Sequence, residues 1–204
     1  MERIIYKQST VKKETNNNYK IYHFSVKDMV EIALFTAIAI ILDRFVRIPI
    51  SPTGGSANIS AVPLMIICLR HGYYKGFIAS GIIYGVATST LDAYGFEYFL
   101  FDYLLAFGSV SVMGLFAKPI LESYKNKKAL SFALVIISSA LWLILRVVFA
   151  SIDSVIYYGY TFMAGVVYNL SYSGISALAD CILVCILLPA LISITKRFKT
   201  SFLK

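Results

Sequence analysis

The chain has 204 residues, of which 58% are hydrophobic and only 15% charged, and its mean hydropathy is +0.73. A water-soluble domain carries about 25% charged residues, so the composition excludes an ordinary soluble enzyme or binding module. The net charge of +8 falls on Lys and Arg that flank apolar runs, the distribution of a membrane protein against anionic lipid and not a nucleic-acid footprint.

The chain opens with a polar, basic segment, residues 1–27, including Lys12-Lys13-Glu14 and Asn16-Asn17-Asn18. It reads as a cytoplasmic tail with no secretory signal. Residues 28–204 form the membrane domain. A helical span needs about 20 mostly apolar residues, and apolar runs recur at 28–46, 59–71, 74–91, 97–117, 129–150 and 164–195. The second is short for a span and the last is long enough to tilt. Pro49, Pro52 and Gly54-Gly55 mark a loop between the first two, Pro119 closes the fourth, and Gly159 precedes the sixth. The fold class expected is an all-α integral membrane protein of six transmembrane helices.

Positive charge orients such a chain. With six spans, sixteen of the nineteen Lys and Arg fall on one side, in the tail, at Arg70 and Lys75, at Lys118 to Lys128, and from Lys196 onward. The opposite loops hold Arg44 and Arg47 beside Asp92, Glu97 and Asp153. Both termini are therefore expected in the cytoplasm, in a multi-pass protein of the cell membrane.

Three cysteines, Cys68, Cys181 and Cys185, lie inside apolar runs. An odd, helix-buried set does not make a disulfide framework, and packing is the simpler reading of the Cys181/Cys185 pair than a metal site. No metal or cofactor is expected. Nucleotide-loop, zinc-protease and nucleophile-elbow motifs do not occur, and His23 and His71 read as remote from each other and from the acidic groups. The chain is not expected to be an enzyme.

A carboxylate inside a span costs about 2.5–3.5 kcal/mol on insertion scales, so it faces a cavity or a partner. Asp102, in Tyr98-Phe99-Leu100-Phe101-Asp102-Tyr103, is the clearest case. Among aromatic faces it suits an organic cation; alternatively it pairs with Arg146. Asp180 has the weaker claim. Tyr84, Tyr94, Tyr98, Tyr103, Tyr157, Tyr158, Tyr160 and Tyr168 crowd the outer side, as an interfacial belt or as the walls of a pocket opening outward. Ala33 and Ala37, and Gly81 and Gly85, give small-xxx-small faces that let another helix approach closely.

Several stretches in register resemble the substrate-capture (S) components of energy-coupling factor (ECF) transporters, and among them the thiamine-specific group. They are Gly54 to Pro63, Leu69-Arg70-His71-Gly72, Ile83-Tyr84-Gly85, Asp102 to Phe107, Arg146 to Gly159, and Tyr168-Asn169-Leu170-Ser171-Tyr172. The resemblance implies a six-helix monomer that captures one vitamin near its outer face. It also implies docking, through the Ala33-xxx-Ala37 motif, onto a transmembrane coupling subunit carrying two ATPase subunits. Carried over by position, Asp102 faces the thiazolium, with Tyr103 beside it. Tyr84, Tyr94 and Tyr158 stand for aromatics, and Asn169 for a polar contact. The chain departs from the pattern at Ala150 (a histidine in some members), Ser154 (a small residue) and Ala164 (a tyrosine), and Tyr84 and Tyr158 stand for tryptophans. These changes bear on which vitamin is bound. The rival readings are an S component for another vitamin, a stand-alone secondary permease, whose usual paired broken halves are not visible, and a ligand-free assembly protein.

Overall fold

The computed structural model describes residues 24–51, 54–92 and 96–197. Most of the basic tail, Tyr94 and the last residues lie outside them. Helix α1 (Val26–Phe45) begins at a reciprocal cap. Ser25 Oγ accepts from the Asp28 amide at 3.1 Å, and the Asp28 carboxylate accepts from the Ser25 amide at 3.3 Å. Its burial pattern is inverted relative to a soluble helix. Asp28, Thr36 and Asp43 face inward, while Met29, Val30, Leu34, Ile38 and Ile41 are exposed. That inversion is what lipid as solvent requires.

The segment expected as a loop is instead an antiparallel hairpin, β1 (Arg47–Ser51) and β2 (Gly54–Asn58), with Arg47 opposite Asn58 and Ile48 opposite Ala57. Backbone groups near the membrane must be satisfied internally, and strand pairing does this where Pro49 forbids a helix. The hairpin is tied down at its end. The Asn58 amide donates to Ser176 Oγ at 3.1 Å, and Asn58 Nδ2 donates to Asp43 Oδ1 at 2.8 Å.

Gly72, at φ 81° and ψ −175°, breaks the next helical run into α2 (61–71) and α3 (73–92), as the sequence divides them. The middle of α3, Ile78–Tyr84, is π-helical. It meets another π-helical stretch, Phe99–Leu105, inside α4 (Phe96–Leu115). The two backbones touch: a Cβ on Gly81 would lie 2.9 Å from the Leu104 carbonyl oxygen and 3.1 Å from Gly108 Cα. The Gly81/Gly85 face is thus used inside the bundle. A short helix α5 (Ala117–Asn126) leads to α6 (Lys128–Tyr158) and α7 (Phe162–Arg197). By length and apolarity alone, α4, α6 and α7 are long enough to cross a membrane. With α1, α2 and α3 they make the six helices expected.

Helix α6 runs two turns beyond the expected end at 150, to a left-handed Gly159 whose amide bonds back to the Ser154 carbonyl. Asp153, read as a loop acid, is therefore helical and buried.

A second correction concerns His71. At one end of the bundle, Arg70 grips Glu31 through Nε (3.1 Å) and Nη2 (2.8 Å) and reaches Thr195 on α7 at 3.2 Å. His71 Nε2 lies 3.0 Å from Glu31 Oε2, and the Lys75 ammonium donates to Asp28 Oδ2 at 2.8 Å. His71 is thus not apart from the acids but locked among them. The chain enters and leaves the bundle at this end.

Candidate functional site

A cavity of about 260 Å³ opens at the opposite end, some 26 residues along α7 from Thr195 and so about 39 Å away. Three helices and the hairpin build it. Helix α4 contributes Tyr98, Asp102 and Tyr103; α6 contributes Ala150, Asp153, Ser154 and Tyr158; α7 contributes Tyr168, Asn169 and Tyr172. Tyr160, between α6 and α7, and Gly55 on β2 complete the lining. Positions 150, 153, 154 and 158 are one helix face, since residues three and four apart align.

The tyrosines form a continuous wall. Ring centroids are 5.7 Å apart for Tyr98 and Tyr158, 6.2 Å for Tyr158 and Tyr160, 6.4 Å for Tyr160 and Tyr168, and 5.6 Å for Tyr168 and Tyr172. Gly55 closes against this wall at φ 78°. Any Cβ there would lie 2.7 Å from Tyr172 Cδ1.

Several polar side chains are held by internal bonds. Tyr103 donates to Asp92 Oδ2 at 3.0 Å, and Asp92 Oδ1 accepts from Arg44 at 2.8 Å, which fixes the Tyr103 ring to α1 and α3. Asn169 spends both amide hydrogens on Ser154 Oγ (3.1 Å) and the Gly165 carbonyl (2.9 Å), and its Oδ1 accepts from the Tyr172 hydroxyl. The two carboxylates differ. Asp102 is half-buried and makes no hydrogen bond or ion pair among the described residues. Arg146, its alternative partner, donates instead to Ser173 Oγ at 3.2 Å and stacks 4.4 Å above the Phe107 ring. Asp153 is buried, and its Oδ1 has no hydrogen-bond partner among the described residues.

Of the ligand contacts expected from sequence, the cavity brings together Asp102, Tyr103, Tyr158 and Asn169. Tyr84 does not belong with them. It is wholly buried between helices, donating to Ser60 Oγ at 2.9 Å and meeting the Phe107 ring edge-on at 4.9 Å. Tyr94 lies outside the described residues. Ala150 lines the cavity, whereas Ala164 is exposed and does not. Asp180 is buried away from it. Ala33 and Ala37 sit on the exposed face of α1. Asp153 and Tyr172 were missed; the spacing 150-153-154-158 was the available signal for the first.

A helical bundle that is apolar outside and encloses a cavity of tyrosines and carboxylates at one end is a polytopic membrane protein built to hold a small molecule. The chain belongs to the thiamine transporter protein family (Thia_YuaJ), whose model matches residues 29–200. It is 27% identical over 181 residues to the thiamine transporter ThiT of Bacillus subtilis (strain 168), covering 85% of this chain and 94% of that one. A solved structure of ThiT from Listeria monocytogenes shares the fold, with a TM-score of 0.66 at 19% identity over 88% of this chain and 98% of the other. The protein is thus a multi-pass transporter-family protein of the cell membrane.

Proposed function

We propose that the chain is the substrate-capture component of an ECF transporter, that it binds thiamine in the tyrosine-walled cavity, and that it catalyses no reaction itself. Energy would come from a transmembrane coupling subunit with two ATPases, docked on the exposed Ala33/Ala37 face of α1. The excess of Lys and Arg at the end where the chain enters and leaves supports a cytoplasmic position for both termini, with the cavity facing outward. The observation that carries the reading is Asp102, a carboxylate lining an aromatic cavity without a direct counter-ion among the described residues. A permanent organic cation supplies that charge, and tyrosine faces add cation–π attraction.

Calorimetric titration of the purified protein tests it. Thiamine should bind, and Asp102→Asn should weaken it by about ten- to a hundredfold, since a charge-assisted contact contributes about 1.5–3 kcal/mol. Unchanged affinity in the variant would remove Asp102 from the contact. Absence of thiamine binding by the original protein would redirect the search to another vitamin. Uptake by cells lacking the ATPases would favour a stand-alone permease instead.

A further inference from the structure

We propose that Asp153 is a second anionic contact of the cavity, accepting a hydrogen bond from the exocyclic amino group of the ligand's aminopyrimidine ring. The proposal rests on thiamine as the ligand and adds a specificity determinant to that reading. Asp153 lines the cavity at a relative exposure of 4% and makes no hydrogen bond among the described residues; Oδ1 is sealed off, which leaves Oδ2 as the oxygen open to the cavity. The adjacent Ser154 and Asn169 do not satisfy it. Ser154 Oγ donates to the Ala150 carbonyl at 2.9 Å and accepts from Asn169, and both Asn169 amide hydrogens are committed elsewhere. In its ionised form the carboxylate only accepts, so the group that fits Oδ2 is a donor brought by the ligand.

Thiamine carries two kinds of donor, a ring amino group and a terminal hydroxyl on a flexible two-carbon arm. A buried acceptor flanked by aromatic walls suits the donor fixed to a planar ring, because the ring stacks while the amino group points at a set position. Asp102 on α4 then balances the thiazolium charge, and Asp153 on α6 reads the pyrimidine. The small Ala150 side chain, one turn before Asp153 on the same face, leaves room for that ring.

The experiment uses the full-length purified protein and three probes: thiamine, an analogue with hydrogen in place of the amino group, and the analogue with a carbonyl there. The unmutated protein should bind the deaminated analogue about tenfold more weakly than thiamine, the equivalent of one lost hydrogen bond. Asp153→Asn should weaken thiamine by about tenfold, leave the deaminated analogue nearly unchanged, and favour the carbonyl analogue relative to thiamine, since the new amide can donate. Equal binding of thiamine and the deaminated analogue by the unmutated protein overturns the proposal, and this comparison decides even if the variant does not fold. An equal loss for all three ligands in Asp153→Asn overturns it as well. Thiamine binding that depends on Asp102 but ignores the amino group would remove only the Asp153 contact. Failure of the unmutated protein to bind any of the three removes the thiamine reading and this contact together.

Discussion

Replacing Lys75 with methionine isolates the charge cluster that fastens α1 to the bundle. Lys75 and Asp28 are both essentially inaccessible, and their charged atoms meet at 2.8 Å. Methionine fills most of the volume of the lysine stem and removes the ammonium, leaving the Asp28 carboxylate buried without its principal counter-charge. Breaking a buried pair from one side costs about 3–5 kcal/mol. His71 Nδ1 lies 3.5 Å from Asp28 Oδ1 but makes no hydrogen bond to it, so a loss of at least about 3 kcal/mol is expected, or roughly a hundredfold in the folding equilibrium. The additional change Asp28→Asn removes the stranded charge and should restore more than half of the loss. The assay is unfolding in mixed micelles with increasing denaturing detergent, followed by fluorescence of Trp142, the single tryptophan and a buried one. A loss below about 1 kcal/mol for Lys75→Met, or a double variant as unstable as the two single losses summed, would refute the argument that the pair is a dry, coupled contact.

Gly55→Ala places a Cβ 2.7 Å from the Tyr172 ring at a positive φ. A left-handed non-glycine residue costs about 1–2 kcal/mol, and Tyr172 must shift, so thiamine affinity should fall by about tenfold. Gly174→Ala, whose Cβ would meet nothing nearer than 3.7 Å, should leave titrations unchanged. Ala33→Trp or Ala37→Trp, on the exposed face of α1 remote from the cavity lining, should abolish energy-driven uptake in cells while calorimetry on the isolated protein still registers full binding.

The six apolar runs were legible because lipid exposure demands long apolar stretches whatever the packing inside. The extra turns of α6 were not, since Asp153 and Ser154 read as loop polarity until the cavity they face is known. The hairpin was hidden for a related reason. Pro49, Pro52 and the paired glycines announce a turn, but strand pairing depends on partners that composition does not reveal. The cluster around Glu31 joins residues 39 and 40 positions apart, and no periodicity connects such pairs. At the site, Asp102 was visible as an isolated carboxylate in an apolar run. Tyr84 was misplaced because a position near the cavity along the chain does not say which face of a π-helical stretch its side chain occupies.

The two faces of α1 differ in length. Glu31 belongs to the charged cluster at one end and Asp43 to the Asn58 contact at the other, a step of about 18 Å along the inward face. The outward face is longer: exposed apolar side chains run from Val26 to Phe45, about 28 Å of rise, close to a hydrocarbon core of about 30 Å. Helix α2 is buried along nearly its whole length. Its shortness is therefore hidden from the acyl chains, which meet α1, α6 and α7 instead. An interior helix can be shorter than the bilayer without thinning it, because only the lipid-facing helices have to match its thickness.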